Sequence, residues 1–311
     1  MSRPTITRLH FVDEQLAELP FPKRPLRILR GLGSGLTRTP GGKLVAIGDR
    51  GPNLKVPLAI ETYGMDVARH GAVPGAKVMP ALDIGPALVE LRVDEDTISI
   101  DRVIPITAAG RTVSGLPPPG SANGRVEPAV NPDGSPCPPD PGGMDTEGIA
   151  AISEDEHWIG DEYGPSLVRV RGSEVVARWV PAGTEGMFGG VGYPVEACLP
   201  ALAARRYVNR GFEAISLSPD RCRLHLAFQG PLAHPDDHAF AAARHVRLWT
   251  LDARTGALLA QYLYELDPPA TFLRDSAEGR VRFEDLKLSE MICLADNRLL
   301  LLERGSASTK F

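Results

Sequence analysis

The chain has 311 residues, 43% of them apolar and 23% charged, with 29 prolines and 32 glycines: the make-up of a globular chain rich in turns and poor in long helices. Its net charge is -5 and no block of Lys or Arg occurs, so nothing is set to track a phosphate backbone and nucleic acid is not an expected partner. The longest purely apolar runs, Ala239 to Ala243 and Met291 to Ala295, fall as far short of the roughly 20 residues of a membrane helix as Leu299 to Leu302 does, so no membrane span is expected.

Met1 to Phe21 carries Asp13, Glu14 and Glu18 where a secretory signal places its apolar centre, so the sequence as written encodes no export and reads as cytoplasmic. Within it, Thr5 to Val12 is a candidate closing strand for the fold, too short to replace whole repeats. A recurring unit then begins. Its first copy is Ser34 to Thr39, the turn Gly41-Gly42 and Leu44 to Pro52, with later strands near Ala87 to Val93 and Ile98 to Ile106. Segments 51–80 and 112–144 read as loop insertions, the second dense in Pro, Gly and Asn.

The clearest copy starts at Glu147: a strand to Ser153, an acidic turn at Glu154 to Glu156, a second strand from His157 to Pro165, then Ser166 to Arg171 and Glu174 to Val180. The next runs from Phe212 to Ser218, turns at Pro219-Asp220, continues from Arg223 to Pro231, crosses a loop at 231–243, and resumes as Val246 to Leu251 and Leu258 to Tyr264. His234 and His238 lie in that loop near His225 and His245. With no helix predicted to align them, they read as surface histidines and not as a metal cluster. The last copy begins Phe283 to Leu288, turns at Asp296-Asn297 and ends with Leu299 to Arg304, so the sequence predicts a chain truncated within this unit.

Four-stranded meanders repeated along a chain predict an all-β fold of radial blades, a β-propeller, because each small twisted sheet buries its faces only against its neighbours. A single propeller domain over 1–311 is expected, with blades starting near 34, 147, 212 and 283; a sandwich is the alternative. Cys137, Cys198, Cys222 and Cys293 form no C-x-x-C pair and read as free buried thiols.

In a meander the start of the first strand and the end of the second lie side by side. Glu147 therefore neighbours Asp161 and Glu162, Glu213 neighbours Gln229, Glu284 neighbours Glu303 and Arg304, and Ser34 neighbours Asp49 and Arg50. If the first strands line the axis, these acids converge on one mouth. Crowded carboxylates are relieved by protonation, by arginine or by a hard cation, and calcium fits an all-oxygen donor set best. Arg50, Arg210 and Arg304 are candidates to hold an anionic substrate. Tyr163 is a further candidate contact, with rim packing as its alternative, and the recurring glutamates have an alternative role in bonding backbone amides of the next blade. No G-x-S-x-G elbow, Walker motif or dinucleotide fingerprint occurs, so no nucleotide cofactor is expected.

Four blocks carry a resemblance: Gly33-Ser-Gly-Leu leading to Asp49-Arg-Gly-Pro, Asp145-Thr-Glu-Gly-Ile leading to Gly160-Asp-Glu-Tyr-Gly-Pro, Asn209-Arg-Gly-Phe-Glu leading to Gln229-Gly-Pro-Leu, and Glu284-Asp-Leu leading to Leu302-Glu-Arg. In these the chain resembles the phytase-like family described as having the esterase-like activity of phytase. The resemblance implies a bacterial propeller, often exported, that hydrolyses esters or phosphoesters; a non-catalytic binding or scaffold propeller is the alternative. Carried onto this sequence, it makes Asp49, Glu147, Asp161, Glu213 and Glu284 the expected calcium ligands and a small anionic or ester compound the expected substrate.

Overall fold

The computed structural model describes residues 7–71, 73–120, 126–295 and 298–305. Fourteen strands build four principal sheets. The first contains β1 (Gly35–Arg38), β2 (Leu44–Ile47), β3 (Ala87–Asp94) and β4 (Thr97–Pro105). The second contains β5 (Thr146–Ala151), β6 (Glu156–Asp161), β7 (Ser166–Arg171) and β8 (Glu174–Pro181). The third contains β9 (Phe212–Leu217), β10 (Arg223–Phe228), β11 (His245–Asp252) and β12 (Leu258–Glu265), and the fourth pairs β13 (Lys287–Cys293) with β14 (Leu299–Arg304). Consecutive strands in each sheet pair antiparallel, as a meander requires.

The first strands of the sheets pack in succession, β1 on β5, β5 on β9 and β9 on β13. Glu290 on β13 then reaches the first again, its Oε2 accepting from Leu36 N of β1 at 3.3 Å. This is the radial arrangement of a β-propeller. It depends on small residues: a Cβ added at Gly35 would lie 2.5 Å from the Glu147 carbonyl oxygen, and one at Gly148 would lie 2.5 Å from that of Glu213. The repeat keeps glycine at these points because the inner strands touch backbone to backbone.

The core fills the gaps between sheets. Ile47, Leu88, Ile149, Ile159 and Val168 pack between the first and second, while Trp158, Trp179, Phe212, Phe228 and Trp249 dominate a larger cluster running through the second, third and fourth. Covered on both faces, β6 is buried along its whole length and loses the alternation of a half-exposed strand.

Additions decorate this frame. His10–Phe11 joins β4 in parallel as an outer edge of the first sheet and does not pair with the two-stranded fourth sheet, so among the described residues it does not act as the expected closing strand; Thr5 and Ile6 lie outside the described residues. Segment 51–80 is more than a loop, because Leu54–Lys55 pairs with Lys77–Val78 and the helical turns Val56–Leu58 and Ala59–Tyr63 bury Ala59 and Tyr63 in a separate small core. Segment 231–243 holds a helix, Asp237–Ala242, capped by Asp236, whose Oδ1 accepts from Ala239 N at 2.9 Å. All four cysteines are free, but Cys222 is exposed and the others are only partly buried, because they sit at turns and sheet margins. The turn expected at Asp296-Asn297 lies outside the described residues. Among the described residues no helix is long and apolar enough to cross a membrane.

Candidate functional site

The strand registers bring the chemistry to one end of the axis. Thr146 pairs with Asp161, Phe212 with Phe228 and Lys287 with Arg304. Just beyond, Glu162 N donates to the Asp145 carbonyl and Gln229 N to the Gly211 carbonyl, both at 2.9 Å, and Leu288 N ties the fourth sheet to the Gln229 carbonyl at the same distance.

Five carboxylates converge there. Asp49, Asp145 and Glu147 form one group and Glu147, Glu162 and Glu213 a second; within each, one oxygen per residue lies within 4.8 Å of the others. Glu147 belongs to both, so the two groups are fused. Burial is the first cause that pushes the Glu147 carboxyl well above its ordinary range, and the charges of Glu213 and Glu162 add to it. Glu213 is pushed up to about 8 by burial and by Glu162, against the hydrogen bond that Gln229 Nε2 donates to it. Asp145 and Glu162 are also raised, chiefly by burial. Asp49 moves the other way: burial pushes it up, but a hydrogen bond with Asp145 and the charge and amide of Arg50 together outweigh that, and about half its side chain (48%) stays open to solvent.

Arg50 organises this floor. Nε faces Asp49 at 3.4 Å, Nη1 donates to Glu127 at 2.5 Å and to the Tyr163 hydroxyl at 3.0 Å, and Nη2 donates to Asn209 at 2.9 Å and stands 2.7 Å from Asp145 Oδ2. The guanidinium thus faces its neighbour Asp49 and four groups from other segments, a use of its fork that lysine cannot copy. Tyr163 is as fully engaged, since its hydroxyl also donates to the Gly115 carbonyl at 3.0 Å. Asp145 is only 1% exposed, and apart from its contacts with Arg50 and Asp49 no donor is aligned on either of its oxygens.

The structure brings Asp49, Glu147 and Glu213 together and sets two sequence candidates apart. Asp161 is fully buried in an ion pair with Arg178 at 2.6 Å, and it also accepts from Ser166 Oγ, Asp145 N and Tyr163 N. Strand alternation explains this: of two adjacent acids only one can face the mouth, and that one is Glu162. Glu284 precedes β13 in a single helical turn, Phe283–Asp285, and pairs with Arg282 at 2.7 Å. The last repeat therefore enters its strand later than the pattern Phe-Glu suggests. Glu162, expected beside Glu147 but not among the ligands, takes the place of Asp161, and Asp145, which opens the Asp145-Thr-Glu-Gly-Ile block, joins the set.

Cations flank the acids on the side of β13. Arg210 donates to Gln229 Oε1 and to the Glu284 carbonyl at 3.1 Å, and Arg304 Nη2 is 3.4 Å from Glu213 Oε1. Lys287, not singled out in the sequence, stands directly opposite Arg304 across the strand pair.

An all-β propeller with a fused acidic mouth is the class that these features define. The family model described as "Phytase-like: Esterase-like activity of phytase" matches residues 28–311, and the chain belongs to that family. No curated protein matches it. Among solved structures it is similar to the Cps50 (Swd1) β-propeller domain of Myceliophteria thermophila, with 12% identity over 93% of this chain and 65% of that one at a TM-score of 0.34. It is similar also to the periplasmic gluconolactonase PpgL of Pseudomonas aeruginosa, with 14% identity over 87% of this chain and 65% of that one at 0.34. The Dos1 propeller shares 8% identity over 84% of this chain and 40% of its own at 0.31. The chain thus spans 40% to 65% of the length of these three.

Proposed function

We propose that the chain is a cation-dependent hydrolase of esters or phosphoesters that works at the acidic mouth. The observation that supports this most is the pair of three-acid groups fused at Glu147, with the Asp145 oxygens buried and without an aligned donor. Such crowding is costly in a structural role, since buried carboxylates at this spacing repel one another and are desolvated together.

Asp49, Asp145, Glu147, Glu162 and Glu213 would hold the ion, and an all-oxygen set without histidine or cysteine suits calcium. When bound, a hard cation supplies Lewis acidity toward an ester or phosphoryl oxygen. The chain's own part is to fix the donors. Arg50 locks Asp49 and Asp145 in place, and Gln229 orients Glu213. With the Arg50 guanidinium ringed by Asp49, Glu127, Asp145, Tyr163 and Asn209, anion binding falls to Arg210 and Arg304.

Calcium titration of the full chain tests this. Binding at a hundred times Kd stabilises by about 2.7 kcal/mol. The expected result is a raised melting temperature together with calcium-dependent hydrolysis of generic esters or phosphoesters, both lost in Glu147→Gln. A chain that calcium stabilises but that turns over no substrate is a binding propeller instead, and one indifferent to divalent ions ends the metal reading.

A further inference from the structure

The inner strands run away from the acidic mouth and surround a second opening at the far end of the axis. From Glu147 to Ala151 along β5 the separation is roughly 13 Å, at about 3.3 Å per residue. There Leu36 of β1, Ala151 of β5, Leu217 of β9 and Ile292 of β13 line a pocket of about 430 Å³, a size ordinary for small-molecule sites. Leu36 is 50% exposed and Ile292 53%, so much of their apolar surface is left uncovered.

Neighbouring inner strands are joined at this end by side chains that accept from edge amides. Thr37 Oγ1 of β1 accepts from Ala151 N of β5 at 3.1 Å, and Ser216 Oγ of β9 accepts from Cys293 N of β13 at 2.8 Å. The joint from β13 to β1 uses Glu290 instead, whose Oε2 accepts from Leu36 N at 3.3 Å. A hydroxyl suffices at two joints, so the carboxylate at the third adds a charge that capping does not require. Its Oε1 accepts from Met291 N at 2.9 Å, and among the described residues no cation pairs with it. Burial pushes the carboxyl up to about 7 against these two amides. The two arginines that line the pocket are placed elsewhere: Arg38 Nε donates to the Gly42 carbonyl at 3.3 Å, and Arg221 is exposed in the turn between β9 and β10.

A metal ion of the calcium kind needs six to eight oxygens, and Glu290 belongs to neither three-acid group. A cation that brings its own apolar surface answers both the lone charge and the bare side chains around it. We propose that this pocket binds a small organic ammonium compound, its charged nitrogen at Glu290 and its apolar body against Leu36 and Ile292. The site is separate from the acidic mouth and does not depend on the hydrolase reading.

The test is calorimetric binding to the full chain in chelator at pH 8 of three probes: phenethylamine, which carries both groups, methylammonium, which carries the charge alone, and 3-phenylpropionate, which sets a carboxylate in place of the ammonium. Phenethylamine is expected to bind about tenfold more tightly than either of the others, a difference of roughly 1.4 kcal/mol. Lowering the pH to 6 protonates Glu290 and should weaken phenethylamine by about tenfold. Glu290→Gln, which keeps an acceptor for the Leu36 amide, should weaken it by about as much at pH 8 and remove the pH dependence. Leu36→Trp, which fills the pocket from an exposed position, should erase the advantage of phenethylamine over methylammonium, and it decides the matter if Glu290→Gln does not fold. Glu147→Gln, at the other end of the axis, should leave phenethylamine binding unchanged. Equal or tighter binding of 3-phenylpropionate or methylammonium overturns the proposal, as does phenethylamine binding that survives both Glu290→Gln and Leu36→Trp or that is lost in Glu147→Gln.

Discussion

Arg50 Nη2 stands 2.7 Å from an oxygen of Asp145, and burial nevertheless holds the Asp145 carboxyl well above the usual carboxylate range. Desolvation therefore outweighs the attraction of a guanidinium in contact. A carboxylate with a cation already beside it and still unfavourably placed is one whose charge a further cation would stabilise. The same pair makes Arg50 the point on which the floor depends, since it also fixes Glu127, Tyr163 and Asn209.

Arg50→Met should destabilise the chain by about 3–5 kcal/mol, because it breaks a buried pair and strips Glu127, Tyr163 and Asn209 of their shared donor. Adding Asp145→Asn removes the acid that Arg50 faces and should recover part of the loss. Denaturant unfolding of the two single variants and the double gives the coupling; purely additive losses would show that the contact carries no energy.

The acidic mouth should make stability fall as pH rises when no divalent ion is present. Glu213 is held at about 8 in the fold against an ordinary 4.5, so the folded state binds its proton more tightly than the unfolded one. Its contribution is fully present below the lower value and is lost as pH climbs through the upper. Melting temperature in chelator should decline across that window, and Glu213→Gln should flatten the decline. Calcium needs the ionised carboxylates, so the shift it produces should grow from about pH 5 to pH 8. A stability that rises with pH in chelator would contradict the protonation assigned to these acids.

Two neighbouring acids should behave in opposite ways. Asp161 has every oxygen engaged and pairs with a fully buried Arg178, so Arg178→Met should cost about 3–5 kcal/mol. Glu162 faces the crowded mouth, so Glu162→Gln should leave the chelated protein as stable as before or more so, while weakening its response to calcium. Unfolding midpoints with and without calcium separate the two roles.

What the sequence made legible was the meander and its consequences. The turns at Gly41-Gly42 and Pro219-Asp220 punctuate strands of β-branched and apolar residues, and the repeat of Glu147 and Glu213 at inner-strand starts placed both on one axis. Finer geometry was hidden. Choosing between Asp161 and Glu162 requires the phase of a strand buried on both faces, where hydrophobic alternation vanishes. Glu284 looked like a third copy because Phe283-Glu284 matches Phe212-Glu213, but Asp285 Oδ2 accepts from Arg282 N at 2.9 Å and closes a turn there instead. Asp145 is not legible as a site acid from its motif block alone, because its partner Arg50 comes from another sheet, and Lys287 meets Arg304 only once the strand register is known.

The sharpest check on the shared architecture of fold and site is Gly148. It adjoins Glu147, and a Cβ there would meet the Glu213 carbonyl oxygen at 2.5 Å and Ile215 N at 2.9 Å, both of them backbone atoms that no rotamer change can move. Gly148→Ala should therefore force β5 and β9 apart instead of being absorbed by a side chain. Overpacking of this kind costs about 1–3 kcal/mol. Because Glu147 and Glu213 sit on those two strands, the same displacement should separate their carboxylates and weaken the calcium response beyond what the lost stability explains. A Gly186→Ala variant in the helical turn Glu185–Phe188, where the backbone has no positive φ and an added Cβ meets nothing, serves as control and should leave the calcium response unchanged. Should Gly148→Ala bind calcium as the parent does, the acids are not held by the close approach of the inner strands, and the link between repeat and site is broken.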